Sequence, residues 1–160
     1  MINNDVLRSV RYMLDISDAK IVEIIKLTDS DVQVCDIQNE DVMAFLKKDE
    51  EEGYMDCPDE VMAHFLDGLV FFKRGKNEKH PAPPVEARMT NNIVLKKLRV
   101  AFELKDDDMH AILQLSGFPI SKPELSALFR KAGHSNYRVC GDQLLRNFLK
   151  GLTLQLRGQK

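Results

Sequence analysis

No apolar run in this chain approaches the roughly 20 residues needed to cross a bilayer, so no membrane association is expected. Its first residues, Met1-Ile2-Asn3-Asn4-Asp5, lack the basic-then-apolar order of a signal peptide. Cysteine is sparse. The 3 thiols are odd in number and widely spaced, which excludes a disulfide framework and makes a reduced, cytoplasmic setting the expectation. None of them forms a C-x-x-C pair, and His64, His80, His110 and His134 show no H-x-x-x-H spacing of the kind that holds zinc. The glycine-rich phosphate loop G-x-x-x-x-G-K-[ST], the dinucleotide pattern G-x-G-x-x-G and the nucleophile elbow G-x-S-x-G are also missing. No cofactor and no metal are therefore expected, and the chain is not expected to be an enzyme. No stretch alternates apolar and polar residues as a half-buried strand does, so the expected fold class is all-α.

What the sequence does contain, it contains twice. Asn3-Asn4-x-Val6-Leu7-x-x-x-Arg11 returns as Asn91-Asn92-x-Val94-Leu95-x-x-x-Arg99, a shift of 88 positions. Tyr54-x-x-Cys57-x-Asp59 returns as Tyr137-x-x-Cys140-x-Asp142, and Phe65-Leu66-x-Gly68-Leu69 as Phe148-Leu149-x-Gly151-Leu152, both shifted by 83. The change of shift puts 5 extra residues in the first copy, between Leu27 and Val42. Two copies of one sequence must fold to nearly the same unit. The expected architecture is thus two tandem four-helix copies related by a pseudo-two-fold axis.

Helical periodicity places four segments in each copy. The first carries Val6, Leu7, Val10 and Leu14, matched by Val94, Leu95, Leu98 and Phe102. Asn3 and Asn91 are the expected N-caps, because a short polar side chain can accept from first-turn amides. The second carries Ile21, Ile24 and Ile25, matched by Met109, Ile112 and Leu113, with Asp18 and Asp106 at its start. The third carries Val42, Phe45 and Leu46, matched by Leu125, Leu128 and Phe129. The fourth is the most apolar and is followed by Gly75 and Gly158, the expected stops. Gly68 and Gly151 fall inside it, where glycine costs roughly 1 kcal/mol against alanine, so a close helix crossing is expected there.

The expected domains are residues 1–75, an acidic first copy, and 91–160, a basic second copy. A proline-rich linker, 76–90, joins them, with Pro81, Pro83 and Pro84 forbidding a helix. The charges separate accordingly. Residues 1–88 hold 11 Lys/Arg and 19 Asp/Glu, a net of −8, and residues 89–160 hold 12 and 6, a net of +6. Such polarity suits association of an acidic surface with a basic one, or an anionic partner for the second copy.

Several motifs carry a family resemblance: Asn-Asn-x-x-Leu, Leu104-Lys105-Asp106-Asp107-Asp108, Phe129-Arg130-Lys131 and the run Arg146 to Leu152. With the proline-rich connector, they resemble the YehS-like family of duplicated bacterial proteins, a domain of unknown function. The resemblance covers essentially the whole chain and implies a small cytoplasmic bacterial protein. It supplies no catalytic residues to carry over.

Met109 to Gly117 followed by a helix from Lys122 to Lys131, capped by Ser121, looks like the helix-turn-helix of phage-repressor DNA-binding domains. In that reading Lys122, Arg130 and Arg138 share an exposed face and meet phosphates, because scattered cations cannot neutralise adjacent ones. On a continuous helix Lys131 lies about 180° from Lys122 and drops out of the set. Cys57 and Cys140 precede the fourth helix, where a dipole can activate a thiol; as small apolar side chains they are expected to be packing residues. The polar pairs kept in both copies are expected to be caps and a buried Arg–Asp pair. The expected role is a non-enzymatic binding or regulatory module acting through protein–protein association or self-association. Nucleic-acid binding by the basic second copy is the alternative.

Overall fold

The computed structural model describes residues 1–28, 36–75 and 88–158. Among them are eight helices and no strand. In chain order they are α1 (Asn3–Leu14), α2 (Asp18–Lys26), α3 (Asn39–Leu46), α4 (Asp59–Arg74), α5 (Asn91–Ala101), α6 (Asp106–Leu115), α7 (Lys122–Leu128) and α8 (Asp142–Arg157). The fold class is therefore all-α, with four helices in each copy. Contacts divide the chain into two compact units, one from Ile2 to Met89 and one from Thr90 onward. Most of the expected linker, residues 76–87, lies outside the described residues, as do residues 29–35, part of the stretch from Leu27 to Val42 to which the first copy's insertion is assigned.

The two units are built alike, down to their irregularities. The first helix of each ends on a non-glycine residue in the left-handed region, Asp15 at φ 52° and Glu103 at φ 55°. The next amide then reaches back five residues, Ile16 to Arg11 and Leu104 to Arg99, which satisfies a carbonyl the helix leaves open. The expected caps are corrected here. Ile2 and Thr90, not Asn3 and Asn91, occupy the N-cap positions, and only the Thr90 hydroxyl accepts a first-turn amide, that of Ile93 at 3.2 Å. Both asparagines sit one residue inside the helix, and their side chains are used elsewhere.

In each unit the second helix packs on the fourth and the first helix also contacts the fourth. Val6, Leu7, Val10, Ile21, Ile24 and Ile25 close over Phe65, Leu66 and Leu69 in the first unit, all buried. Val94, Leu95, Leu98, Met109, Ile112 and Leu113 do the same over Phe148, Leu149 and Leu152. The mid-helix glycines mark this crossing, as expected. A Cβ on Gly68 would lie 1.9 Å from the Ile24 carbonyl oxygen, and one on Gly151 would lie 2.1 Å from that of Ile112. The helices touch backbone to backbone there, which no side chain permits. Gly75 and Gly158, at φ 80° and 83°, end the fourth helices. The fourth helices differ in one respect. Every residue from Val61 to Leu69 is buried, His64 and Asp67 included, whereas α8 buries one stripe and exposes Arg146 and Lys150.

Candidate functional site on the second unit

An asparagine at the second position of the first helix fixes the segment that carries the candidate residues. Asn92 Nδ2 donates to the carbonyls of Leu128 (3.0 Å) and Arg138 (2.8 Å), and its Oδ1 accepts the Cys140 amide at 2.9 Å. Asn4 repeats this with Phe45, Met55 and Cys57 at 2.9, 2.9 and 3.0 Å. All the hydrogen-bonding capacity on the inward side of the amide is thereby used, in a buried setting where an unmade bond is costly. Asn3 and Asn91 complete the clasp, each donating to the following cysteine carbonyl and to Asp59 or Asp142. Most of the polar residues kept in both copies are thus scaffold. The Arg–Asp pairs also form, Arg11 with Asp18 at 3.1 Å and Arg99 with Asp106 at 2.6 Å, but at the surface and not buried as expected.

Cys57 and Cys140 are buried at the end of this clasp. Burial pushes their thiols up to about 12 and about 11, so neither is an activated nucleophile. They pack.

Lys122, Arg130 and Arg138 are all exposed and all line one groove of about 620 Å³, together with Glu124, Ser126 and Asn136. The grouping was expected, but the route to it differs. The helix expected to run to Lys131 stops at Leu128, and Arg130 enters the groove from the turn that follows. Arg138 is drawn alongside by its own amide, which donates to the Ala127 carbonyl at 3.1 Å. The helix-turn-helix reading is left with a second helix of 7 residues whose basic side chain is Lys122 alone.

Two features escaped the sequence reading. Glu124 stands in the groove and pairs with the Arg138 guanidinium. That contact, and the Ser121 amide and hydroxyl at the helix start, hold its carboxyl below the usual carboxylate range. Lys131, excluded by continuous-helix geometry, lines an adjoining recess of about 280 Å³ with Lys96, Arg130 and Tyr137. Arg130 borders both. Lys96 could have been found from sequence, since it stands where the first copy has Arg8. Among the described residues no cluster of three or more His, Cys, Asp or Glu could hold a metal ion. Nor is any described helix long and apolar enough to cross a membrane.

Residues 3–75 and 91–158 match a family model described as a protein of unknown function (DUF1456). Uncharacterized protein YehS of Escherichia coli strain K12 is 46% identical over 160 residues, covering all of this chain and 99% of that protein. No solved structure matches the chain.

Proposed function

The chain belongs to the DUF1456 family of unknown function, in two copies, and on that footing we propose that it is a non-enzymatic binding module. It acts through protein–protein association, with an acidic protein surface seated on the larger groove of the second unit. One observation carries this reading. The positions that gather Lys122, Arg130 and Arg138 around the groove hold Asn39, Lys47 and Met55 in the first unit. Lys47 is moreover turned onto its own loop, donating to the Glu52 carbonyl at 2.8 Å. At these matched positions only the second unit presents three cations outward.

The partner's carboxylates are favoured over nucleic-acid phosphates by Glu124. Its charge interrupts the basic strip and occupies Arg138, which repels a continuous phosphate backbone. Discrete acidic side chains can meet Lys122 on one side and Arg130 on the other. The buried free thiols suit a reducing, cytoplasmic compartment.

Fluorescence anisotropy of a labelled polyglutamate peptide with the full-length protein tests the proposal. Lys122→Glu with Arg130→Glu should weaken binding about tenfold at ~50 mM salt. Asn39→Glu with Lys47→Glu should leave it unchanged. Peptide binding that ignores both pairs would sink the reading. Binding of a DNA or RNA oligonucleotide in place of the peptide, with a steep salt slope, would replace it with the nucleic-acid alternative.

A further inference from the structure

The smaller recess has a counterpart in the first unit, and there Arg8, Tyr54 and Lys47 are already engaged. Arg8 Nη1 donates to the Lys47 carbonyl at 2.8 Å while its other arm pairs with the Asp5 carboxylate. The Tyr54 hydroxyl donates to Asp56 at 2.5 Å, and that bond, helped by the nearby carboxylates, raises its pKa to about 12. Lys47 donates to the main-chain carbonyl of Glu52. The second unit keeps polar groups at these positions and lacks the two carboxylates, Asp5 and Asp56, that engage them in the first. Lys96 stands for Arg8 and Ile93 for Asp5, while Tyr137 stands for Tyr54 and Val139 for Asp56. Lysine cannot span two acceptors as a guanidinium fork does. Among the described residues, the side chains of Lys96, Arg130, Lys131 and Tyr137 form no hydrogen bond or ion pair, and all four line the 280 Å³ recess.

We propose that this recess binds a compact phosphate ester. Three cations around one small cavity exceed what a single carboxylate neutralises and match a phosphate dianion, whose three terminal oxygens accept charge-assisted hydrogen bonds. The Tyr137 hydroxyl supplies a neutral donor. Ile93 and Phe129 give the cavity an apolar side for a short carbon skeleton. Phe129 is steadied by the Arg99 guanidinium, 4.6 Å from its ring centre. A volume of about 280 Å³ falls just below the range of pockets that hold drug-sized ligands. A phosphate with a few carbons fits; a nucleic-acid chain does not. The site goes beyond the acidic-partner reading: it shares Arg130 with the larger groove but adds Lys96, Lys131 and Tyr137, which do not line that groove.

The test is a calorimetric and NMR titration of the full-length protein with glycerol 3-phosphate and with inorganic pyrophosphate. One saturable site that moves the Tyr137 ring resonances is expected. Ile93→Asp with Lys96→Arg rebuilds the first unit's internal pair and should weaken binding about tenfold, with an unchanged melting temperature. Lys131→Ala, at an exposed position, should weaken it several-fold without touching the fold. No saturable binding by about 10 mM, or equal binding by the Ile93→Asp/Lys96→Arg protein, overturns the proposal. So does binding of a single-stranded oligonucleotide with none of either small phosphate.

Discussion

The loop after α3 carries Asp49, Glu50, Glu51 and Glu52 and folds Lys47 back onto itself. The loop after α7 has Ala132, Gly133, His134 and Ser135 at those positions and leaves Arg130 and Lys131 facing outward. Yet both loops hang from the same asparagine, end on the same buried cysteine and follow the same backbone bond, Met55 to Ala44 and Arg138 to Ala127. Inward-facing polar groups have kept their partners because each lost bond would strand a buried amide or carbonyl. Outward-facing charges carry no such penalty and have been free to change sign. The units therefore share a skeleton and differ in what they can bind.

The largest effect expected from disturbing that shared skeleton is at the helix crossing. Gly68→Ala and Gly151→Ala should each cost about 3 kcal/mol or more, because backbone must move to admit the methyl. Denaturant melts showing a loss for one glycine and none for the other would break the equivalence of the units. Next come Asn4→Ala and Asn92→Ala, each stranding one buried amide and two carbonyls. A cost of about 2–4 kcal/mol is expected, with Asn4 the larger since it is 1% exposed against 8% for Asn92.

The thiols give a smaller, pH-dependent contrast. Both folded pKa values lie above the ordinary 9, so the unfolded chain releases its thiol protons first and stability falls as pH rises from about 9 toward 11 or 12. In a Cys35→Ser background, Cys140 should be alkylated at lower pH than Cys57. Mass spectrometry of pulse-labelled protein across that range checks the order. Smallest is Arg138→Met, which removes the surface pair with Glu124 and should move the melting temperature by no more than about 1 °C. With its pKa depressed, Glu124 contributes only above its ordinary carboxyl range and loses that contribution as pH falls through the lower folded value. The variant should therefore lose a little of the native protein's acid sensitivity.

Much of the skeleton was legible because it rests on local signals. Apolar spacing placed all eight described helices, and a glycine repeated inside both fourth helices pointed to the crossing. The errors fall where a distant contact decides. Phe129 continues the apolar stripe of α7, but the chain turns there, and the Arg138 amide returns to the Ala127 carbonyl 11 residues earlier. Asn3 and Asn91 read as caps because their amides suit that task, yet carbonyls 54 and 49 residues away claim them. The three groove cations were found from charge and spacing. Their neighbour Glu124 was not, since it also reads as an ordinary capping-box residue beside Ser121.

The buried amide of Cys57 gives up its hydrogen bond to Asn4 only when α1 parts from the loop before α4, and the Cys140 amide does so only when Asn92 lets go. Each is therefore a single-proton reporter of the opening of its own unit. Deuterium uptake at these two amides, followed in one intact chain, would show whether the copies open at one rate or two, and hence whether the duplicated chain unfolds as one cooperative body or as two in succession.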